Sequence, residues 1–217
     1  IWRQYVNSMN IKKTVYYDWS IQELEKIKNV NIRPSILIHG CCAPCSSFPL
    51  EFLSPYMDIT IYHNNSNVYP IQEYEIRRDE LIRYVEMYNE KYQANVKLII
   101  PPYDEENYHK FLEPMKDLRE GGKRCHMCYR IRMNEAYAYA NDHHFDYFCT
   151  VMTISRQKPS KLLNTIGEEL SKKYPNTKYF YSDFKKHNGI LRRNEIQKEY
   201  NLYEQRHCGC RYSLKNK

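Results

Sequence analysis

The sequence predicts an α/β fold: a single-domain three-layer sandwich on a mostly parallel sheet. Two observations carry this. Short apolar runs rich in β-branched residues alternate with longer stretches of helical apolar spacing, the pattern of parallel strands joined by crossover helices. The run Ser35 to His39 (S-I-L-I-H) also has no polar face, as expected of a strand buried on both sides.

The elements follow in order. Trp19 to Val30 reads as a short helix with Ile21, Leu24 and Ile27 on one face and Asp18 or Ser20 as its cap. After the Ser35 strand, Gly40 permits a sharp exit. Pro44 suits the first turn of a helix running through Leu50 and Phe52. Asp58 to His63 is a second strand, and the polar loop N-N-S-N-V-Y-P ends at Pro70. A long helix spans Ile71 to Tyr88, with Tyr74, Leu81, Ile82, Val85 and Tyr88 inward. Val96 to Ile100 is a third strand, stopped by Pro101 and Pro102. Asn107 to Leu118 reads as helix interrupted near Pro114, and Gly121-Gly122 ends it. A helix then covers Lys123 to Asn141. Strand Tyr147–Val151, helix Lys161–Tyr174, strand Thr177–Tyr181 and helix Leu191–Tyr200 lead to an irregular tail. Residues 1–32 read as an N-terminal extension and helix, and 33–217 as one α/β domain ending in C-G-C. No repeat or linker divides the chain.

At 217 residues and 42 % hydrophobic, the chain can bury a sizeable core. No apolar run reaches the roughly 20 residues of a membrane-spanning helix, so no membrane partner is expected. The first residues lack the apolar core of a secretory signal, and Met9 is the first methionine; a cytoplasmic location is expected, with residues 1–8 open to being an extension. Net charge is +7, with 22 tyrosines. That combination suits nucleic acid, or reflects a compositional bias toward Lys, Asn and Tyr.

Seven of the eight cysteines fall in three groups, 41/42/45, 125/128 and 208/210. In a leaderless chain, grouped thiols point to metal or catalysis before structural disulfides. The first group lies where a strand ends and a helix begins, the position open α/β sheets use for ligands. The helix N-terminus there favours thiolate. Cys125 and Cys128 share a helix face at i, i+3. With Cys41 and Cys42 they make four thiolates, the set for a [4Fe–4S] cluster or a four-cysteine zinc site. The vicinal pair is an unusual zinc knuckle, and Cys45 would be surplus to it. Cys149 lies alone in an apolar strand and reads as core. Cys208 and Cys210 would close a very small, strained and labile disulfide ring, or stand as two free thiols. Basic side chains surround the second pair (Arg119, Lys123, Arg124, Arg130, Arg132) and recur at Lys185, Lys186, Arg192 and Arg193. Each run is a candidate phosphate contact or a solvated face.

The order of elements resembles the adenine-nucleotide alpha-hydrolase-like folds. The Ser-Gly-Gly phosphate loop of those folds is replaced here by cysteines. No Walker A or G-x-G-x-x-G occurs, so no nucleotide cofactor is expected. From Arg33 to Tyr212 the motifs resemble one family closely: H-G-C-C-A-P-C at 39–45, N-S-N-V-Y-P at 65–70, E-Y-E-I-R at 73–77, G-G-K-R-C-H-M-C-Y-R-I-R at 121–132, S-D-F-K-K at 182–186 and C-G-C at 208–210. This is the cobalamin-independent epoxyqueuosine reductase family, QueH. Ser66 and His207 depart from its usual Pro and Tyr.

The resemblance implies reduction of epoxyqueuosine to queuosine at the tRNA wobble position. It implies cluster ligands at Cys41, Cys42, Cys125 and Cys128, a further iron involving Cys45, and a redox-active disulfide at Cys208–Cys210. An electron donor of ferredoxin or flavodoxin type is then expected. Two rival classes stand beside it: a zinc-bound RNA-binding module without catalysis, and a thiol-disulfide oxidoreductase using C-G-C.

Overall fold

A computed structural model describes residues 15–30 and 32–213; the sequence reading of residues 1–8 and the Met9 start lies outside them. Seven α-helices surround five strands: α1 (Val15–Lys28), β1 (Ser35–His39), α2 (Ala43–Leu53), β2 (Asp58–Tyr62), α3 (Ile71–Tyr92), β3 (Lys97–Ile99), α4 (Glu105–Lys110), α5 (Lys123–Asp142), β4 (Tyr147–Thr150), α6 (Ser160–Ser171), β5 (Lys178–Tyr179) and α7 (Gly189–Glu199). Short 3-10 turns cover Glu113–Met115 and Val151–Ile154. The sheet order is β3-β2-β1-β4-β5, and every pairing is parallel.

Strand alternation builds the three layers. Ile36 and Ile38 of β1 point to one face, where Leu50, Leu53, Tyr84, Val85 and Ile196 pack from α2, α3 and α7. Leu37, between them, points to the other face and meets Met133, Tyr137, Leu163 and Ile166 from α5 and α6. A one-residue slip of β1 would exchange the two sets, so two packed faces fix its register. Leu24 and Ile27 of α1 join the first core. Cys149 lies wholly within it, as the sequence predicts for that thiol.

The chain builds outward from β1 through β2 to β3, then returns to the other side of β1 for β4 and β5. Neighbouring connections diverge at the C-terminal ends of β1 and β4. That crevice is the ligand position of open α/β sheets.

Several boundaries differ from the sequence reading. The first helix starts at Val15, four residues before Trp19. Asn107–Leu118 divides into α4 and a 3-10 turn, because Asp104 caps a helix at its Oδ1 and Pro114 cannot continue one. β5 shrinks to two residues at the sheet edge. On α3 Tyr84 is fully buried and Ile82 only half-buried.

Candidate metal centre

The first cysteine group sits at the sheet's diverging point. Gly40 extends β1 by one bond, its N–H donating to Tyr62 O at 2.9 Å. A side chain there would bring a Cβ to 2.6 Å from Ile61 Cγ2, so the exit from the strand requires glycine. Cys42 is extended (φ −171°) and caps α2, its Sγ accepting from the Cys45 N–H at 3.4 Å. The sulfurs of Cys41, Cys42 and Cys45 lie within 4.8 Å of one another, with 3.9 Å between the vicinal pair. All three are buried. Among the described residues this is the one set of three or more thiol, imidazole or carboxylate groups drawn so close together.

The three thiols titrate unequally. Hydrogen bonds from Cys42 and Cys45 hold Cys41 well below the ordinary thiol range, against its burial, and the cations Lys158 and Arg132 act in the same direction. Burial pushes Cys42 up. The bond to Cys41, with burial, pushes Cys45 up to about 12. One negative charge is thus shared over three sulfurs. Lys158, on the loop after β4, loses some basicity to burial but gains more from Cys208, Cys41 and Cys45, so it stays protonated.

The second pair opens α5. Gly121, at φ +78°, turns the chain so that its N–H donates to Cys125 Sγ at 3.2 Å. One turn on, Tyr108 Oη donates to Cys128 Sγ at 3.0 Å. Burial raises both thiols. Cys128 packs with Cys210, Tyr108, Leu112 and Tyr212 in a small third core. The tail pair is thereby placed beside the second pair. Tyr69 N–H donates to Gly209 O at 2.7 Å. Arg77 donates to the carbonyls of Cys208 (3.0 Å) and His207 (3.1 Å), and is itself held by Glu73 at 2.7 Å. All eight cysteines are free thiols.

Residues 36–216 match the model of the epoxyqueuosine reductase QueH family. The chain belongs to that family. A protein named epoxyqueuosine reductase QueH from Streptococcus pyogenes serotype M1 is 38 % identical over 209 residues, 96 % of this chain and 82 % of its own. One of the same name from Staphylococcus aureus strain Mu50 is 43 % identical over 184 residues, 82 % of this chain and 75 % of its own. A third, from Thermotoga maritima, is 30 % identical over 183 residues, 83 % of this chain and 90 % of its own. The family is one of oxidoreductases.

The two cysteine groups that the family motifs contribute are joined by one network. Asn65, from the loop after β2, donates through Nδ2 to Gly40 O at 3.0 Å and to His63 Nδ1 at 2.9 Å. Its Oδ1 accepts from Arg132 Nη2 on α5, and Asn64 Nδ2 donates to Arg132 O at 2.9 Å. Arg132 is charged by attraction to both Cys128 and Cys41, outweighing its burial. Buried sulfur donors with N–H and O–H groups aimed at them fit a thiolate-held iron–sulfur cluster. Cys125 and Cys128 stand outside the 4.8 Å set of the first group.

The basic residues divide by burial. Arg124 and Arg132 are each 2 % exposed, which corrects the reading of them as phosphate contacts. Arg124 instead donates to the carbonyls of Lys116 (2.6 Å) and Leu118 (2.5 Å), tying down the loop before α5. Lys185 turns inward to Thr153 O at 2.7 Å and to Asp183 at 3.2 Å, and burial lowers its pKa. Arg192 is engaged bidentately by Glu51 at 2.8 and 2.7 Å. Arg130 pairs with Glu169 on the surface, Lys186 and Arg193 are half-exposed, and Arg119 and Lys123 are exposed.

Sequence reasoning missed Lys158, Tyr108, Asn65 and His63. The last two carried a signal, a run of small amides directly after a strand, which favours local polar networks over repeating structure.

Proposed function

We propose that this chain reduces the epoxide of epoxyqueuosine at the wobble position of tRNA to give queuosine. The observation that carries this is the buried trio of thiols at the diverging ends of β1 and β4, in a chain of this family. Cys41, Cys42, Cys125 and Cys128 would hold a [4Fe–4S] cluster, and Cys45 a further iron. When bound, the cluster supplies single electrons and the iron acts as a Lewis acid toward the epoxide oxygen.

Opening the epoxide to an alkene consumes two electrons and two protons and releases water. The chain's own residues serve that balance. Lys158 keeps a proton-bearing cation facing Cys41 and Cys45, where negative charge gathers on the leaving oxygen. Cys208 is half-exposed and Cys210 buried, an arrangement suited to taking electrons from a ferredoxin- or flavodoxin-like donor and passing them inward to the Cys128 side. A wobble base reaches such a site only when splayed from its loop. Arg130, Lys186, Arg193, Arg119 and Lys123 are the basic residues placed to meet phosphates. No helix among the described residues is long and apolar enough to cross a membrane.

The test is anaerobic iron and sulfide analysis with EPR, joined to mass spectrometry of epoxyqueuosine-bearing tRNA. Serine at any one of the four ligand positions should abolish the cluster signal and turnover. Stoichiometric zinc without sulfide in the anaerobic protein would overturn the reading in favour of a zinc-bound RNA-binding module. Full turnover in Cys208→Ser would remove the tail dithiol from the electron path.

A further inference from the structure

His63 follows β2, is 0 % exposed, and is not among the cysteine ligands. Its protonation can be read from its neighbours. Asn65 Oδ1 accepts from the guanidinium of Arg132, which can only donate. The Asn65 amide is therefore oriented with both N–H bonds on the opposite side, one to Gly40 O and one to His63 Nδ1. Nδ1 is an acceptor, so the proton of the neutral ring is on Nε2. That nitrogen has no hydrogen-bond partner. A buried donor without a partner costs about 1–3 kcal/mol. The acidic group that acts most on this ring is Cys41, one residue beyond the Gly40 carbonyl that the same amide holds.

We infer that His63 is an N–H donor to sulfur at the Cys41 site, held in its Nε2–H tautomer by Asn65. Burial, the first cause, takes its pKa down to about 3, so the ring stays neutral. Hydrogen bonds to sulfur stabilise the more negative, reduced state and raise the reduction potential. The donor thus sets how readily the site accepts an electron.

The inference rests on the proposed metal site, and the experiment separates the two. In the metal-free protein, long-range 15N–1H NMR should report the Nε2–H tautomer for His63. Asn65→Asp, whose carboxylate cannot donate, should flip it to Nδ1–H. Finding Nδ1–H in the unaltered protein overturns the inference whatever metal is bound. In the anaerobically loaded protein, His63→Leu should keep iron and sulfide but shift the midpoint potential negative. His63→Gln, which retains an amide donor, should restore it. An unmoved potential at equal metal content overturns the inference and leaves the metal site standing. Loss of iron in His63→Leu that His63→Gln does not recover assigns His63 to packing and overturns it as well. Absence of iron from the unaltered protein refutes the metal site alone, since the tautomer stands on its own measurement.

Discussion

Replacing Arg77 by methionine should free the C-G-C tail while leaving the domain folded. Arg77 is 3 % exposed and reaches 131 residues along the chain to Cys208 O, with a second bond to His207 O. A hydrogen bond from a charged donor contributes ~1.5–3 kcal/mol, so the two bonds together hold the tail by at least ~3 kcal/mol. Methionine fills the same volume and supplies neither bond. At about 1.4 kcal/mol per tenfold, the open population of the tail should rise roughly 100-fold. Alkylation of Cys210, buried against Cys128 and Tyr108, reads that population when reclosing outpaces the reagent. Cys149 in β4, fully buried, serves as the internal control and should stay unreactive. Arg77→Lys should fall between, because an ammonium cannot span both carbonyls as the planar fork does. Gly209→Ala should act in the same direction. Its φ is +93°, and the added Cβ would lie 2.8 Å from Arg77 Nη1. A Cys210 rate unchanged in Arg77→Met would refute the reasoning, and so would an equal acceleration at Cys149, which would mean global unfolding instead of tail release.

Cys45→Ala should retain the cluster signal yet lose the additional iron and turnover, while Cys45→Asp should keep the cluster and part of the activity, since a carboxylate is a competent iron ligand; metal analysis beside the tRNA assay distinguishes them. Affinity for tRNA should fall with log salt at about −0.7 to −0.9 per phosphate contact, and the double change Arg130→Ala, Arg193→Ala should flatten that slope by up to about two contacts, whereas Arg192→Ala, engaged by Glu51, should not. Gly167→Ala should destabilise by ~1–3 kcal/mol in chemical denaturation, because the new Cβ would meet the Tyr179 ring at 2.1 Å and overpacking outweighs alanine's helix preference; equal or greater stability would count against the α6–β5 packing.

The strands and helices were legible because two-sided burial leaves its mark on spacing. Ile36, Leu37 and Ile38 can all be apolar only when both faces are covered. The cysteine turn was legible because Gly-Cys-Cys-Ala-Pro-Cys joins an apolar run to a helix-starting proline. What sequence concealed was the direction in which charges face. Arg124 and Arg130 stand six residues apart on one helix and look equivalent in sequence. Only the packing of Tyr212 against Arg124, at 5.1 Å, and the carbonyls of Lys116 and Leu118 distinguish an internal tie from a surface cation. Lys158 escaped notice for the opposite reason. It belongs to no charge cluster in the chain, and only the return of β4 to the side of β1 brings it to the thiols.

That return has a consequence for how the protein is made. β1 emerges first among the strands, but its neighbour β4 pairs with it 111 residues later, through contacts such as His39 Nδ1 with Thr150 Oγ1. The three thiol groups come from the first, middle and final thirds of the chain. A nascent chain on the ribosome exposes Cys41, Cys42 and Cys45 long before Cys125 and Cys128 exist, and the tail that covers Cys128 is among the last segments released. Long-range parallel pairing of this kind folds slowly. Loading of metal is therefore a late event that follows synthesis, and during the interval the first three thiols depend on their surroundings to remain reduced and unmetallated.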